Sequence, residues 1–273
     1  MGNVYEALRR AESEQPGTSP LEQPWNGGDV PDLVPFPVSD LNQAAQSCPE
    51  GEIDPHLVSL LDCQGQAAEQ FRLLSVRLRD LRHQNSLKKI LVTSSAAGEG
   101  KSVVASNLAV SLALDGEQKV LLLGGDLGSL ALNRLLGCNG LRGLTEYLQD
   151  EPLTHCVYRV RSLALWFMPA GSTSSPKVVQ CLQSGRLKEL LERLCSSFDW
   201  IVIDSPPLLP LADANIWARM ADGTLLVIRE GKTPRKPLGR ALETLGNVPL
   251  LGVVMNECNH QKNGRHKSLT TRA

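Results

Sequence analysis

Aromatic residues are scarce in this chain: 4 Trp, 3 Tyr and 4 Phe among 273 residues. That leaves little material for stacking bases or sugars as an organising theme. Charge of one sign is also missing. The net charge of -1 argues against a nucleic-acid binder that uses its whole surface. Cysteines number seven, Cys48, Cys63, Cys138, Cys156, Cys181, Cys195 and Cys258, and no two form a Cys-x-x-Cys pair. Neither a disulfide framework nor a zinc site is expected, only thiols buried or tolerated in a reducing cytosol. The start, MGNVYEALRR, has no signal-peptide apolar stretch, and Glu6 stands where a myristoylation motif wants Ser or Thr. Apolar runs such as 225–228 are far shorter than the roughly 18 residues of a membrane span. Any membrane association is therefore expected through a partner or a surface contact.

What the chain does have is organised in blocks. Residues 1–13 read as an N-terminal helix, with Val4, Leu8 and Ala11 at helical spacing. Residues 14–55 hold eight of the 17 prolines and no Lys or Arg, the composition of a flexible acidic linker. Residues 56–258 read as one domain, and 259–273 as a basic tail carrying Lys262, Arg265, Lys267 and Arg272. Within the domain a helix is expected over 66–83, with Phe71, Leu74, Leu78 and Leu81 as its apolar stripe. Apolar runs at 89–93, 119–123, 163–168, 200–203, 224–228 and 250–255 then alternate with helical stretches at 101–114, 178–196 and 235–245. Continuous runs, rather than alternating ones, mean strands buried on both faces. Strands of that kind separated by helices specify an α/β fold with a doubly wound, mostly parallel sheet.

The first run leads into TSSAAGEGKSVVASNLA. The phosphate-loop pattern is G-x-x-x-x-G-K-[ST], and here the leading Gly is replaced by Ser95. Gly98, Glu99, Gly100, Lys101, Ser102 and Val103 are the candidate nucleotide-binding residues. Glycines let backbone N–H groups converge on phosphate oxygens, and the helix start adds partial positive charge. Lys101 would neutralise the β- and γ-phosphates of ATP, and the Ser102 hydroxyl would ligate Mg²⁺. After the 200–203 run comes Asp204, placed for a second Mg²⁺ ligand, although a helix N-cap is an alternative role for it.

The loop resembles that of the bacterial tyrosine kinases, cytoplasmic autokinases of capsule and exopolysaccharide synthesis and relatives of the MinD and ParA P-loop ATPases. Thr93, Ser94 and the stretch Gly98-Glu99-Gly100-Lys101-Ser102 carry the likeness. So do FDWIVIDSPPLLPLADA, GLTEYLQDE, MPAGSTSSP and LLVIREGKTPR, over about residues 54–257. A lysine near the start of the loop, as in MinD and ParA, is absent here. The resemblance implies a P-loop NTPase fold of the MinD/ParA type, ATP and Mg²⁺ as cofactors, and Lys101, Asp126 and Asp204 as catalytic groups, with Ser102, Asp126 and Asp204 on the metal. It implies Asn256, after the last strand, as a contact to the base. It also implies a cytoplasmic protein held at the inner membrane by the cytoplasmic segment of a polysaccharide chain-length protein.

Three departures qualify this. The family's third motif, an apolar run followed by D-x-D-x-R, reads Gly124, Gly125, Asp126, Leu127, Gly128 here. Gly124 thus stands for a carboxylate that assists Mg²⁺ and deprotonates tyrosine. Asp126 is expected about 6.5 Å further along the strand, and restoring the acid by Gly124→Asp is expected to raise ATP turnover. The family's C-terminal tyrosine cluster is absent: only Tyr5, Tyr147 and Tyr158 occur, with Tyr5 the best remaining acceptor. The family's E-x-x-R-x-x-R oligomer motif reads Glu69, Arg72, Ser75. Spacing of three is expected to hold these on one helix face, either in a homo-oligomer weakened by Ser75 or as a solvated surface. Three functions remain open: a tyrosine kinase, a pseudokinase that binds Mg-ATP and regulates a polysaccharide co-polymerase, and a MinD-like ATPase.

Overall fold

The computed structural model describes residues 46–49, 51–84, 86–172, 182, 185–209, 213–246 and 248–258. The expected N-terminal helix with Tyr5, residues 14–45 of the expected linker and the basic tail lie outside them. In chain order the elements are β1 (Gln46–Ser47), α1 (Val58–Leu61), α2 (Gln66–Gln84), β2 (Lys89–Ser94), α3 (Lys101–Ala113), β3 (Val120–Gly124), α4 (Ala131–Leu135), α5 (Leu144–Tyr147), β4 (Tyr158–Arg159), β5 (Leu165–Met168), α6 (Gly185–Ser197), β6 (Trp200–Asp204), α7 (Asp213–Met220), β7 (Gly223–Arg229), α8 (Arg235–Leu245) and β8 (Leu250–Asn256).

The sheet has eight strands in the order β1-β4-β5-β3-β6-β2-β7-β8. Every neighbouring pair from β5 to β8 is parallel, and only β4 against β5 is antiparallel. The continuous apolar runs are explained by two cores, one on each side. Leu91, Leu121, Leu123, Ile201 and Ile203 meet α6 and α7 through Leu190, Leu194 and Trp217. The alternate residues Ile90, Val92, Val120, Leu122 and Val202 face α2 and α3 through Leu78, Leu108 and Leu112. The period of two along each strand sends successive side chains to opposite cores. Helix α3 is buried nearly all round, which is why its sequence shows no polar face.

Two expectations are corrected here. Residues 46–48 are not linker: β1 pairs in parallel with β4, and Cys48 N–H donates to Arg159 O at 2.9 Å. A two-residue strand of exposed Gln46 and Ser47 has no apolar pattern to read, because the pairing comes from backbone groups on β4. The chain then crosses behind α4, where Asp54 N–H donates to Leu135 O at 3.2 Å. This crossing brings Cys48 beside Cys138, and the two form a disulfide across 90 residues of sequence. Spacing alone could not pair cysteines joined only through the edge of the sheet. The free thiols of Cys156 and Cys195 are half-buried or buried, as expected, while Cys63 and Cys258 are exposed. No described helix is long and apolar enough to cross a membrane.

Candidate nucleotide site

The turn between β2 and α3 is held by two glycines. Gly98 (φ 81°) and Gly100 (φ 91°) both take the left-handed backbone region that other residues reach only at a cost. Gly100 is constrained twice over, since a Cβ there would lie 2.0 Å from Asn256 Nδ2. Asn256 donates from that nitrogen to Glu99 O at 3.1 Å. The last strand therefore does place Asn256 at the loop, but its amide is engaged with loop backbone. Val103, in the first turn of α3, is partly buried and packs against the core.

Glu99 is 5% exposed, and its carboxylate is committed to the loop rather than aimed outward. Ser95 Oγ lies 3.0 and 3.1 Å from its two oxygens and shares its one proton between them. Ala96 N–H donates to Oε2 at 3.0 Å, and Thr233 Oγ1 donates to Oε1 at 2.5 Å. Thr233 Oγ1 in turn accepts from Arg229 N–H at 2.8 Å, while Arg229 reaches Gly98 O with Nη1 at 3.4 Å and pairs with Glu257.

The two acids arrive from neighbouring strands. Asp204 ends β6 and is 2% exposed, with its Oδ1 lacking any hydrogen-bond partner. Burial pushes its carboxyl from the ordinary 3.8 up to about 7, against the opposing pull of Lys101 and of a hydrogen bond from Ser102, with Asp126 adding to the rise. Asp126 does not continue along β3 as expected. The chain turns at once, because Gly125 N–H and Asp126 N–H both donate to Asp204 O, at 2.8 and 3.0 Å. Trp217 Nε1 locks the turn by donating to Gly125 O at 3.1 Å. The turn carries Asp126 Oδ2 to 3.0 Å from Lys101 Nζ. Lys101, Ser102, Asp126 and Asp204 therefore come together as the sequence anticipated, Asp126 by a different route.

Gly124 lies directly beside Asp204 in register. Its missing side chain has been replaced by packing: a Cβ at 124 would lie 2.7 Å from the backbone N of Ala170. The segment after β5 is stapled there by the stretch around α5. Leu144 N–H donates to Pro169 O at 2.9 Å, and Thr145 Oγ1 donates to Ala170 O at 2.6 Å. The Glu146 carboxylate accepts from Gly143 N–H at 2.6 Å and Ser172 N–H at 2.8 Å. A side chain at 124 would require the Ala170 backbone to shift, which counts against the expectation that Gly124→Asp raises turnover. At Gly128, by contrast, the nearest atom to a Cβ is Asp126 Oδ1 at 3.8 Å, so ordinary packing room remains.

The oligomer motif is not one face. Glu69 and Arg72 are half-exposed and pair with each other at 2.5 Å. Ser75 is 3% exposed and points at α3, where Ser111 Oγ donates to its hydroxyl at 3.4 Å. At 100° per residue, six positions leave a residue about 120° around the helix from where it started, enough to pass from solvent to core. Of the tyrosines, Tyr158 is buried and donates to His155 O at 2.9 Å, and burial raises its pKa. Tyr147 is partly buried against the core. Thr233, Arg229, Trp217 and Glu146 were missed as site-shaping residues. Three of them sit in sequence blocks that were legible, but their contacts cross up to 134 residues.

Comparison with known proteins agrees with this geometry. A family model described as ParA, NUBPL iron-transfer P-loop NTPase, matches residues 85–269. Tyrosine-protein kinase YwqD of Bacillus subtilis is 31% identical over 204 residues, covering 74% of this chain and 85% of that one. This chain belongs to the bacterial tyrosine-protein kinases, on a ParA-type P-loop domain. Within that family it is also 30% identical to the succinoglycan biosynthesis transport protein ExoP of Rhizobium meliloti, over 204 residues, 73% of this chain but only 26% of ExoP. Among solved structures, the BceF tyrosine kinase domain superposes with a TM-score of 0.64 at 31% identity, covering 73% of this chain and 81% of that one. The matching family model is that of a P-loop NTPase, the class to which a loop such as Gly98–Ser102 belongs.

Proposed function

We propose that this protein binds Mg-ATP between Gly98 and Ser102, and that its nucleotide state regulates exopolysaccharide synthesis or export without phosphorylating tyrosine. One observation carries the reading. The binding groups Lys101, Ser102, Asp126 and Asp204 are assembled, while the Gly124 position beside them is filled by Ala170 backbone. Mg²⁺ fits the donor set. It is a small hard cation held by one or two carboxylates with phosphate and water completing its shell. Asp204 offers a buried oxygen with no other partner, and Asp126 and the Ser102 hydroxyl stand beside it. No described cluster of three or more His, Cys, Asp or Glu forms a closed metal cage, consistent with a site completed by phosphate. When bound, the ion neutralises charge on the β- and γ-phosphates. Lys101 pairs with Asp126 at 3.0 Å, and in this reading it exchanges that partner for phosphate when nucleotide binds.

The likeness to a succinoglycan biosynthesis transport protein supports a role at the membrane machinery of polysaccharide export. The partner in this reading is the cytoplasmic segment of a chain-length protein, and the location is the inner face of the membrane. A second reading, a working tyrosine kinase, is favoured by Asp126, whose carboxylate does reach the site. Calorimetry with Mg-ATP, and phosphotyrosine mapping by mass spectrometry after incubation with and without the partner segment, test both. The expected result is Mg-dependent ATP binding with no phosphotyrosine. Absence of Mg-ATP affinity would overturn the proposal. Phosphotyrosine that disappears in Lys101→Ala would establish the second reading instead.

A further inference from the structure

Ser95 stands where the phosphate-loop pattern has its leading glycine, and the structure shows what that hydroxyl does. It holds both oxygens of the buried Glu99 carboxylate. Glu99 therefore ties the first residues of the loop, Ser95 and Ala96, to the last turn before Gly100. The same carboxylate takes a third kind of donor from outside the loop, the Thr233 hydroxyl of the segment after β7. A hydroxyl has one proton to give, and Thr233 gives it to Glu99 while accepting from Arg229 N–H. Thr233 is thus the joint of a chain running from the Arg229 backbone through Glu99 to the loop's first turn.

We infer that Thr233 is a positioning residue for the phosphate loop, coupling the segment after β7 to the shape in which the loop meets phosphate. The inference rests on reading this loop as the Mg-ATP site. The physical argument is one of charge. A carboxylate inside a phosphate loop repels the ligand unless it is turned away and satisfied, and here Ser95, Ala96 and Thr233 hold it inward. Valine at 233 keeps the shape of threonine but leaves Arg229 N–H without an acceptor and Glu99 without one donor. The carboxylate then keeps only Ser95 and Ala96 as donors, so its inward hold, and with it the shape of the loop's first turn, is loosened. A movement of the segment after β7, whether from ligand or from partner, would reach the loop by the same joint.

The test compares Thr233→Val, Thr233→Ser and the wild type as the full chain. Calorimetry reads Mg-ATP affinity, and hydrogen exchange reads the amides of 95–100. Thr233→Val is expected to weaken Mg-ATP binding by about tenfold or more, the scale of a lost hydrogen bond to a charged group. It should also speed exchange across the loop. Thr233→Ser, which keeps the hydroxyl, should restore both. Wild-type affinity and exchange in Thr233→Val would overturn the inference, as would failure of Thr233→Ser to rescue. If the wild type itself binds no Mg-ATP, the proposed function falls, and the exchange comparison alone still decides the role of Thr233.

Discussion

Asp204→Asn is expected to make the nucleotide-free protein more stable near neutral pH while removing its Mg²⁺-dependent affinity for nucleotide. Asp204 is almost wholly buried with one unpartnered oxygen, and its carboxyl is pushed from 3.8 up to about 7. In the unfolded chain this group is ionised above about pH 4. Between pH 4 and pH 7, then, the folded protein holds a proton that the unfolded chain releases. Stability must fall as pH rises through that window and level off above it. At 1.36 kcal/mol per pH unit, a rise from 3.8 to about 7 is worth about 4 kcal/mol. Asparagine has the same shape and no charge to lose, so the variant escapes that decline. Urea unfolding at pH 5, 6, 7 and 8, without Mg²⁺ or nucleotide, should show the variant gaining about 2 kcal/mol on the wild type between pH 5 and pH 7. Because Mg²⁺ requires the ionised carboxylate, Mg-ATP binding to the wild type at pH 6 should release a proton, seen as a calorimetric enthalpy that depends on the buffer. A stability difference that stays flat from pH 5 to pH 8 would refute the reasoning, because it would mean that Asp204 carries the same charge folded and unfolded.

Gly124→Asp should lower stability by about 1–3 kcal/mol, the usual cost of forcing atoms into a packed site, since its Cβ meets Ala170 backbone at 2.7 Å. Phosphate-release assays should show no gain in ATP turnover, and a faster variant of unchanged stability would contradict the closed-site argument. Ser75→Arg should not restore a homo-oligomer. It would bury a guanidinium between α2 and α3, at a cost of about 3 kcal/mol or more, and analytical ultracentrifugation should show no added self-association.

Much of the architecture was legible because burial on both faces leaves a one-dimensional trace. Runs such as 120–123 and 200–203 are apolar at every position, and the strands fall on them within a residue or two. The apolar stripe of α2 and the stretch from Gly98 to Ser102 were legible for similar reasons: helical period in one case, backbone chemistry that only glycine supplies in the other. Short elements were not legible. Strand β1 and the Cys48–Cys138 pair have no local pattern, because what stabilises them is a partner distant in sequence. The same holds for Ser75, whose spacing from Glu69 suggested one face until the drift of the helix carried it into the core.

For the site, the sequence by itself determined the inventory: Lys101 and Ser102 at a helix start, Asp204 at a strand end and, through the resemblance to the kinase family, Gly124 where that family has an acid. These are consequences of residue type and order, so one dimension suffices. Only the tertiary structure decided what the inventory amounts to. The turn at Gly125 brings Asp126 to Lys101, Ala170 occupies the space at Gly124, and Thr233 reaches Glu99 across 134 residues. Each depends on where two separate backbones lie within a few ångströms of each other, a distance that residue type and order do not specify.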